Sequence, residues 1–146
     1  MIVRDATEED WPELERIGRA FTKAAGMPDV DAASLQATLR MLMDSGILKV
    51  AVNGSVCGVA GAVLFPYYWN VRELVAQELF WYVDIDHRGG RAALMLLDAM
   101  ERSARERGAR KLMMLCLDEL NPDGVERLYL RRGYKPQERT YAKELG

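Results

Sequence analysis

A chain of 146 residues with 20 Lys+Arg against 22 Asp+Glu, net charge -2, is long enough for one domain spanning 1–146 and too short for a separate cofactor domain. A hydrophobic content of 49% excludes a disordered chain, and a pI near 5.5 argues against nucleic acid as a partner, since such binders carry a basic surface. Two distant cysteines, Cys57 and Cys116, and a single histidine, His87, leave no structural zinc site, so no metal is expected and both thiols are expected to be buried and unpaired. Met1 to Asp5 lacks the apolar region of a signal peptide, and no run approaches the ~20 apolar residues that span a bilayer. No membrane partner is expected, and the expected location is cytoplasmic.

In chain order, Ile2–Arg4 reads as a short strand. Thr7-Glu8-Glu9-Asp10 then reads as a helix start, with Thr7 as the cap and acids in the first turn. Trp11, Leu14, Ile17, Gly18 and Phe21 follow at helical spacing, and a second helix is predicted over 31–44 with Leu35, Leu39 and Leu42 buried. The period then changes to that of strands at 47–52, Asn53-Gly54 marks a type I′ hairpin turn, and 56–64 returns as the partner. Gly58 and Gly61 within it suggest a bulge or a close backbone approach. Residues 65–70 read as an aromatic loop, in which Tyr67, Tyr68 and Trp69 would line an acceptor pocket or seal a homodimer contact. A long central strand is predicted over 74–83, a helix over 92–107 ended by Gly108, and a buried strand over 111–117. A short helix over 122–132 and two closing strands, 134–137 and 140–144, complete an α/β fold of order β-α-α-β-β-β-α-β-α-β-β around one mixed sheet.

The stretch that carries chemistry joins the long strand to the following helix: Val83-Asp84-Ile85-Asp86-His87-Arg88-Gly89-Gly90-Arg91-Ala92-Ala93. A helix N-terminus offers unpaired N–H groups and the positive dipole end, which suits an anion. Gly89 and Gly90 admit a ligand close to the backbone, and Arg88 and Arg91 bring charge suited to phosphate oxygens. The bland reading is a tight turn whose glycines only make the bend. No GxxxxGK[ST] and no GxGxxG after an early strand occurs, which excludes a P-loop and argues against a dinucleotide site. His87 reads as a loop residue, the eight methionines as core filler, and Arg102, Arg105, Arg107, Arg110 and Lys111 as a solvated basic face or a contact for an adenosine phosphate.

This loop, together with the element order, resembles the GNAT superfamily of acetyl-CoA-dependent N-acetyltransferases, whose R/Q-x-x-G-x-G/A signature opens the helix that cradles the coenzyme A pyrophosphate. Here Arg91 stands where the family has its first motif glycine, and Gly90 comes one place earlier. The Arg88-Gly89-Gly90-Arg91-Ala92 version resembles small bacterial and phage-like members. A second block, Asn121-Pro122-Asp123-Gly124-Val125-Glu126-Arg127-Leu128-Tyr129-Leu130-Arg131-Arg132-Gly133-Tyr134, is similar to the family's N-x-x-A-x-x-(F/L)-Y-x-x-x-G-(F/Y) helix with one extra residue.

The resemblance implies a GNAT-like sheet whose two central parallel strands splay apart, with pantetheine pairing near Val83 and Ile85. It implies acetyl-CoA as co-substrate held by Arg88, Gly89, Gly90, Arg91, Ala92, Ala93 and Asn121. Acetyl transfer would run directly to a primary amine, either a small molecule or a protein lysine or N-terminus. The chemistry needs a base, an oxyanion donor and an acid. Glu78, set among Leu79, Phe80 and Trp81, is the candidate base; otherwise it is a strand glutamate facing solvent or paired with Arg72 or Lys111. The Val83 N–H is the candidate oxyanion donor. Tyr129 matches the family's general-acid tyrosine; otherwise it is a core residue with its hydroxyl at the surface. The competing expectation is a non-catalytic module of the same fold that binds coenzyme A or a protein partner.

Overall fold

The computed structural model describes residues 1–146, and the chain divides into two compact units, Met1–Leu115 and Cys116–Gly146. In the first, β1 (Ile2–Asp5) leads through a 3₁₀ turn (Glu8–Asp10) into α1 (Trp11–Ala24) and α2 (Ala32–Ser45). Three antiparallel strands follow, β2 (Ile47–Asn53), β3 (Ser55–Tyr67) and β4 (Asn70–Val83), then a second 3₁₀ turn (Ile85–His87), α3 (Ala92–Glu106) and β5 (Ala109–Met113). The five strands form one mixed sheet in the order β1-β2-β3-β4-β5, antiparallel except for the β4–β5 pair. The β4–α3–β5 crossover is therefore parallel.

The sheet separates two apolar layers. On one side α1 and α2 set Leu14, Ile17, Leu39 and Leu42 against Leu48, Val50 and Val59. On the other, α3 sets Ala92, Leu96, Met100 and Ala104 against Ala51, Cys57, Ala60 and Ala76. Both layers press closely on the two glycines of β3. A Cβ on Gly58 would meet Leu96 of α3 at 3.1 Å, and one on Gly61 would meet the Phe80 ring at 2.7 Å and Leu42 at 2.9 Å. Leu96 is fully buried, so Leu96→Ala would cost about 2–5 kcal/mol.

Two of the register shifts in the sheet decide which layer the side chains of β3 and β4 face. Ala51 pairs with Gly58 but Val52 with Val56, leaving Cys57 extra on β3. Gly61 pairs with Phe80 but Ala62 with Glu78, leaving Leu79 extra on β4. An extra residue reverses the side-chain alternation beyond it. Before the bulge Ala76 faces α3; after it Trp81 and Val83 do, while Leu79, Phe80 and Tyr82 all face α1 and α2.

Several expectations change. Only Gly54 has positive φ at the β2–β3 tip, and Asn53 pairs directly with Ser55, so the type I′ turn is not formed. The aromatic stretch is not a loop: β3 continues to Tyr67 and β4 starts at Asn70, leaving Tyr68 and Trp69 at the tip. β5 stops at Met113 rather than 117, and Cys116 is exposed, while Cys57 is buried with its thiol pushed up by that burial. In the second unit, α4 (Pro122–Arg131) is the only regular element, and the two closing strands are absent. Pro136 has no N–H to give a ladder, and Lys135, Glu138 and Arg139 leave no apolar alternation to bury.

Candidate active site

The site begins where β4 and β5 part. Their pairing runs from Leu74↔Ala109 to Gln77↔Met113 and ends there, while β4 continues alone on that side from Glu78 to Val83. The Leu79 bulge lies at the same point, and a bulge adds twist and bends its strand away from a neighbour. Glu78 sits at the fork. It is 4% exposed, and its Oε1 accepts the Leu115 N–H at 3.0 Å, so a side chain takes over from the backbone ladder where the strands separate. The expectations of a solvent-facing strand glutamate is thereby corrected: the carboxylate is buried.

Beyond the fork, backbone geometry exposes an edge. Asp84 N–H donates to Cys57 C=O at 2.8 Å, and Val83 pairs with Gly58. In an antiparallel ladder, polar groups of successive residues point to opposite edges, so the N–H and C=O of Val83 point away from β3, toward the side that β5 has left. The Val83 C=O accepts Arg88 Nε at 2.9 Å, and the Arg88 guanidinium lies over the Tyr82 ring at 4.9 Å. Ile85 is no longer in a strand; it opens the 3₁₀ turn and is exposed. The open edge of β4 therefore ends at Val83.

The turn delivers the chain to the start of α3. Arg91 occupies the N-cap position without a side-chain cap, no acid stands in the first turn, and the first helical bond runs from Met95 N–H to the Arg91 C=O. The leading N–H groups of the helix are thus left without side-chain acceptors. Gly89 has φ +79, a conformation that favours glycine, and a Cβ there would meet nothing within 4 Å. Beside them His87 Nδ1 is buried with no hydrogen-bond partner. Uncapped donors, open backbone and an orphaned imidazole nitrogen fit a ligand rich in acceptor oxygens such as a diphosphate. Ala92 is buried and keeps bulk away from this end.

Two contacts missed by sequence reasoning hold the turn in place. Arg16 of α1 grips both oxygens of Asp84, at 3.1 and 2.8 Å, and also donates to Val56 C=O at 3.2 Å. Hydrogen bonding to Asp84 raises the Arg16 pKa above its usual value, with burial opposing and Glu13 helping. Nothing in the spacing of positions 16 and 84 signals this pair. The basic cluster is partly structural: Arg107 donates to the Gly46 and Ser45 carbonyls at the end of α2, and Arg110 pairs with Glu73 at 3.0 Å.

In the second unit, Asn121 precedes α4 in the left-handed region, φ 48, and its side chain lies over Gly124, where any Cβ would collide with it. Tyr129 is buried, with its ring 5.3 Å from that of Tyr134. The structure thus brings Glu78, Val83, Ile85, Arg88, Gly89, Gly90, Arg91, Ala92 and Ala93 into one strand–turn–helix passage of the first unit, and places Asn121 just before the helix of the second and Tyr129 on it.

A mixed sheet with a bulged, forked β4 running into an uncapped helix frames the site. The sequence matches the acetyltransferase (GNAT) family across residues 5–134, and the chain belongs to that family. Membership implies acyl transfer with acetyl-CoA as co-substrate. A ribosomal-protein-alanine N-acetyltransferase from Brucella melitensis biovar Abortus 2308 superposes with TM-score 0.78 at 20% identity, covering 99% of this chain and 100% of that one. A Trypanosoma brucei acetyltransferase gives 0.77 at 18%, covering 99% of each chain. A predicted acetyltransferase from Clostridium acetobutylicum, solved with acetyl-CoA, gives 0.77 at 18%, covering 99% and 96%. At these identities the likeness is one of fold. Among curated proteins none matches the sequence. No helix is long and apolar enough to cross a membrane.

Proposed function

We propose that residues 1–146 act as one domain that transfers an acetyl group from acetyl-CoA directly to a primary amine in the cytoplasm. The observation that supports this most is the continuity of the open β4 edge at Val83 with the uncapped start of α3. Acetyl-CoA supplies the acetyl thioester; the products are the N-acetylated amine and the free coenzyme A thiol, and the ammonium proton passes to a base. Arg88, Gly89, Gly90, Arg91, Ala92 and Ala93 would hold the diphosphate, and Asn121 would support coenzyme binding. The Val83 N–H would stabilise the charge that grows on the thioester oxygen. Glu78 would take the proton, and Tyr129 would protonate the departing thiolate.

Thiol release from acetyl-CoA over a panel of amines tests the reading, and no turnover with any amine would overturn it. Glu78→Gln keeps the shape and removes the acceptor, so turnover should fall by ~10²–10⁴-fold while acetyl-CoA binding persists. Unchanged turnover would leave Glu78 as the residue that ties the fork. Tyr129→Phe should lower kcat with nearly unchanged affinity for acetyl-CoA, and wild-type turnover would remove it from the chemistry. One observation favours the non-catalytic reading: the Val83 C=O already serves Arg88. A module that keeps this contact would show acetyl-CoA stabilisation without turnover.

A further inference from the structure

Between α1, α2 and the sheet lies a cleft of about 250 Å³. Its walls are apolar, with Leu14, Phe21, Leu35 and Leu39 from the helices, and its floor includes Phe80 and Tyr82 of β4. Phe21 meets both floor rings, with centroids 6.5 Å from Phe80 and 6.0 Å from Tyr82, the latter edge-on. An apolar cavity of about 150 Å³ is enough to take up benzene, so this one has room for a ring or a branched alkyl group. The charged groups of the lining are Asp29 and Asp31 alone, both at the exposed loop before α2, and no cation joins them. Ser34 donates to the Asp31 carboxylate from N–H at 3.0 Å and from Oγ at 2.6 Å, which holds its carboxyl below the ordinary aspartate value and keeps it charged.

The position of the cleft matters as much as its chemistry. The β4 bulge turns Leu79, Phe80 and Tyr82 toward α1 and α2 and leaves Trp81 and Val83 facing α3. The cleft and the open edge of Val83 are thus built from one strand segment. Tyr82 belongs to both, since its ring floors the cleft and carries the Arg88 guanidinium. We propose that this cleft is the acceptor site and that the acceptor is a small cationic amine bearing an aromatic or branched aliphatic group. The apolar group enters between α1 and α2, and the negative mouth attracts the ammonium form. An anionic or strongly polar acceptor would meet two carboxylates and then an apolar wall.

The proposal rests on the acetyl-transfer reading, and the test separates the two. Phenethylamine and isoamylamine are compared with ethanolamine, both for acetyl-CoA-dependent thiol release and for direct binding by calorimetry in the presence of coenzyme A. The apolar amines should bind and should exceed ethanolamine in kcat/KM by at least about 30-fold. Thr38→Phe, which places a ring in the cleft from α2, should abolish that preference and leave the KM for acetyl-CoA unchanged; Thr22→Phe, from α1, makes the same test if the first variant does not fold. Asp29→Asn with Asp31→Asn, which keeps a capping residue at position 31, should weaken the cationic amines and not acetyl-CoA. Binding of phenethylamine without turnover on any amine would uphold the cleft and overturn acetyl transfer. Turnover of ethanolamine equal to that of phenethylamine, or failure of both apolar amines to bind, would overturn the acceptor assignment and leave acetyl transfer standing.

Discussion

Twice in the first unit a strand runs through a 3₁₀ turn into a helix, and the two junctions are finished in opposite ways. Between β1 and α1 the junction satisfies itself. Arg4 donates to both oxygens of Asp10, at 2.7 and 2.9 Å, and Asp10 accepts the Thr7 N–H at 2.8 Å. Glu8 and Glu9 add negative charge to the same turn. Between β4 and α3 the carboxylate of Asp84 is drawn off by Arg16, Arg88 is lent to a backbone carbonyl, and the helix start has neither cap nor acid. Charge at the first junction is balanced inside the chain; at the second, positive character is left over. The contrast separates a junction that satisfies its own polar groups from one that leaves them open.

The largest effect expected from this contrast is on coenzyme binding. Acetyl-CoA at 100 times its dissociation constant should stabilise the protein by about 2.7 kcal/mol, read as a rise in Tm. Gly90→Glu should abolish that rise. A side chain there meets only the His87 carbonyl, at 3.5 Å, so the fold should accept it while its charge opposes the diphosphate. The matching variant in the first junction, Glu9→Gln, should leave the rise intact. A wild-type response from Gly90→Glu would mean that the second junction is not the coenzyme site.

The first junction should answer to acid instead. The Arg4 guanidinium holds the Asp10 carboxyl below the ordinary aspartate value of 3.8, with Thr7 helping and burial opposing. A depressed carboxyl pKa contributes stability that is fully present above its unfolded value and is lost as pH falls through the folded one. Asp10→Asn should therefore cost about 1–3 kcal/mol at neutral pH and should remove part of the destabilisation seen below about pH 4. Denaturant unfolding across a pH series checks both. An unchanged acid profile would mean that Asp10 carries none of it.

The order of elements through α4 was legible because periodicity and glycine placement are local signals. The strand–turn–helix layout of residues 83–93 was legible too, since it is written in consecutive residues. The fork was only half legible: Glu78 stood out among apolar neighbours, but its Leu115 partner depends on where β5 leaves β4. The bulge at Leu79 has no sequence mark of its own, because the cue lies across the ladder in Gly61. Arg16 and Asp84 are brought together by packing of α1 on the sheet, which no spacing encodes. At the C-terminus, Tyr134 and Tyr141 suggest strands in a window where Pro136 and flanking charges leave no ladder or apolar face.

The smallest effect is the sharpest, because it asks the second junction to behave like the first. Arg91 holds the N-cap position of α3 and accepts no helix N–H through its side chain. Serine there can accept one once the backbone at 91 turns from φ -89, ψ -14 to the extended conformation of a cap, and such a cap adds about 0.5–1 kcal/mol. Arg91→Ser should thus raise the ligand-free Tm slightly while removing a cation and supplying the N–H groups with a partner of their own. The stabilisation by acetyl-CoA should shrink in the same variant, so that ligand-free and ligand-bound melting temperatures move closer together. If both rise in parallel, the N–H groups at the start of α3 do not contact the coenzyme, and the bare helix end is only an uncapped one.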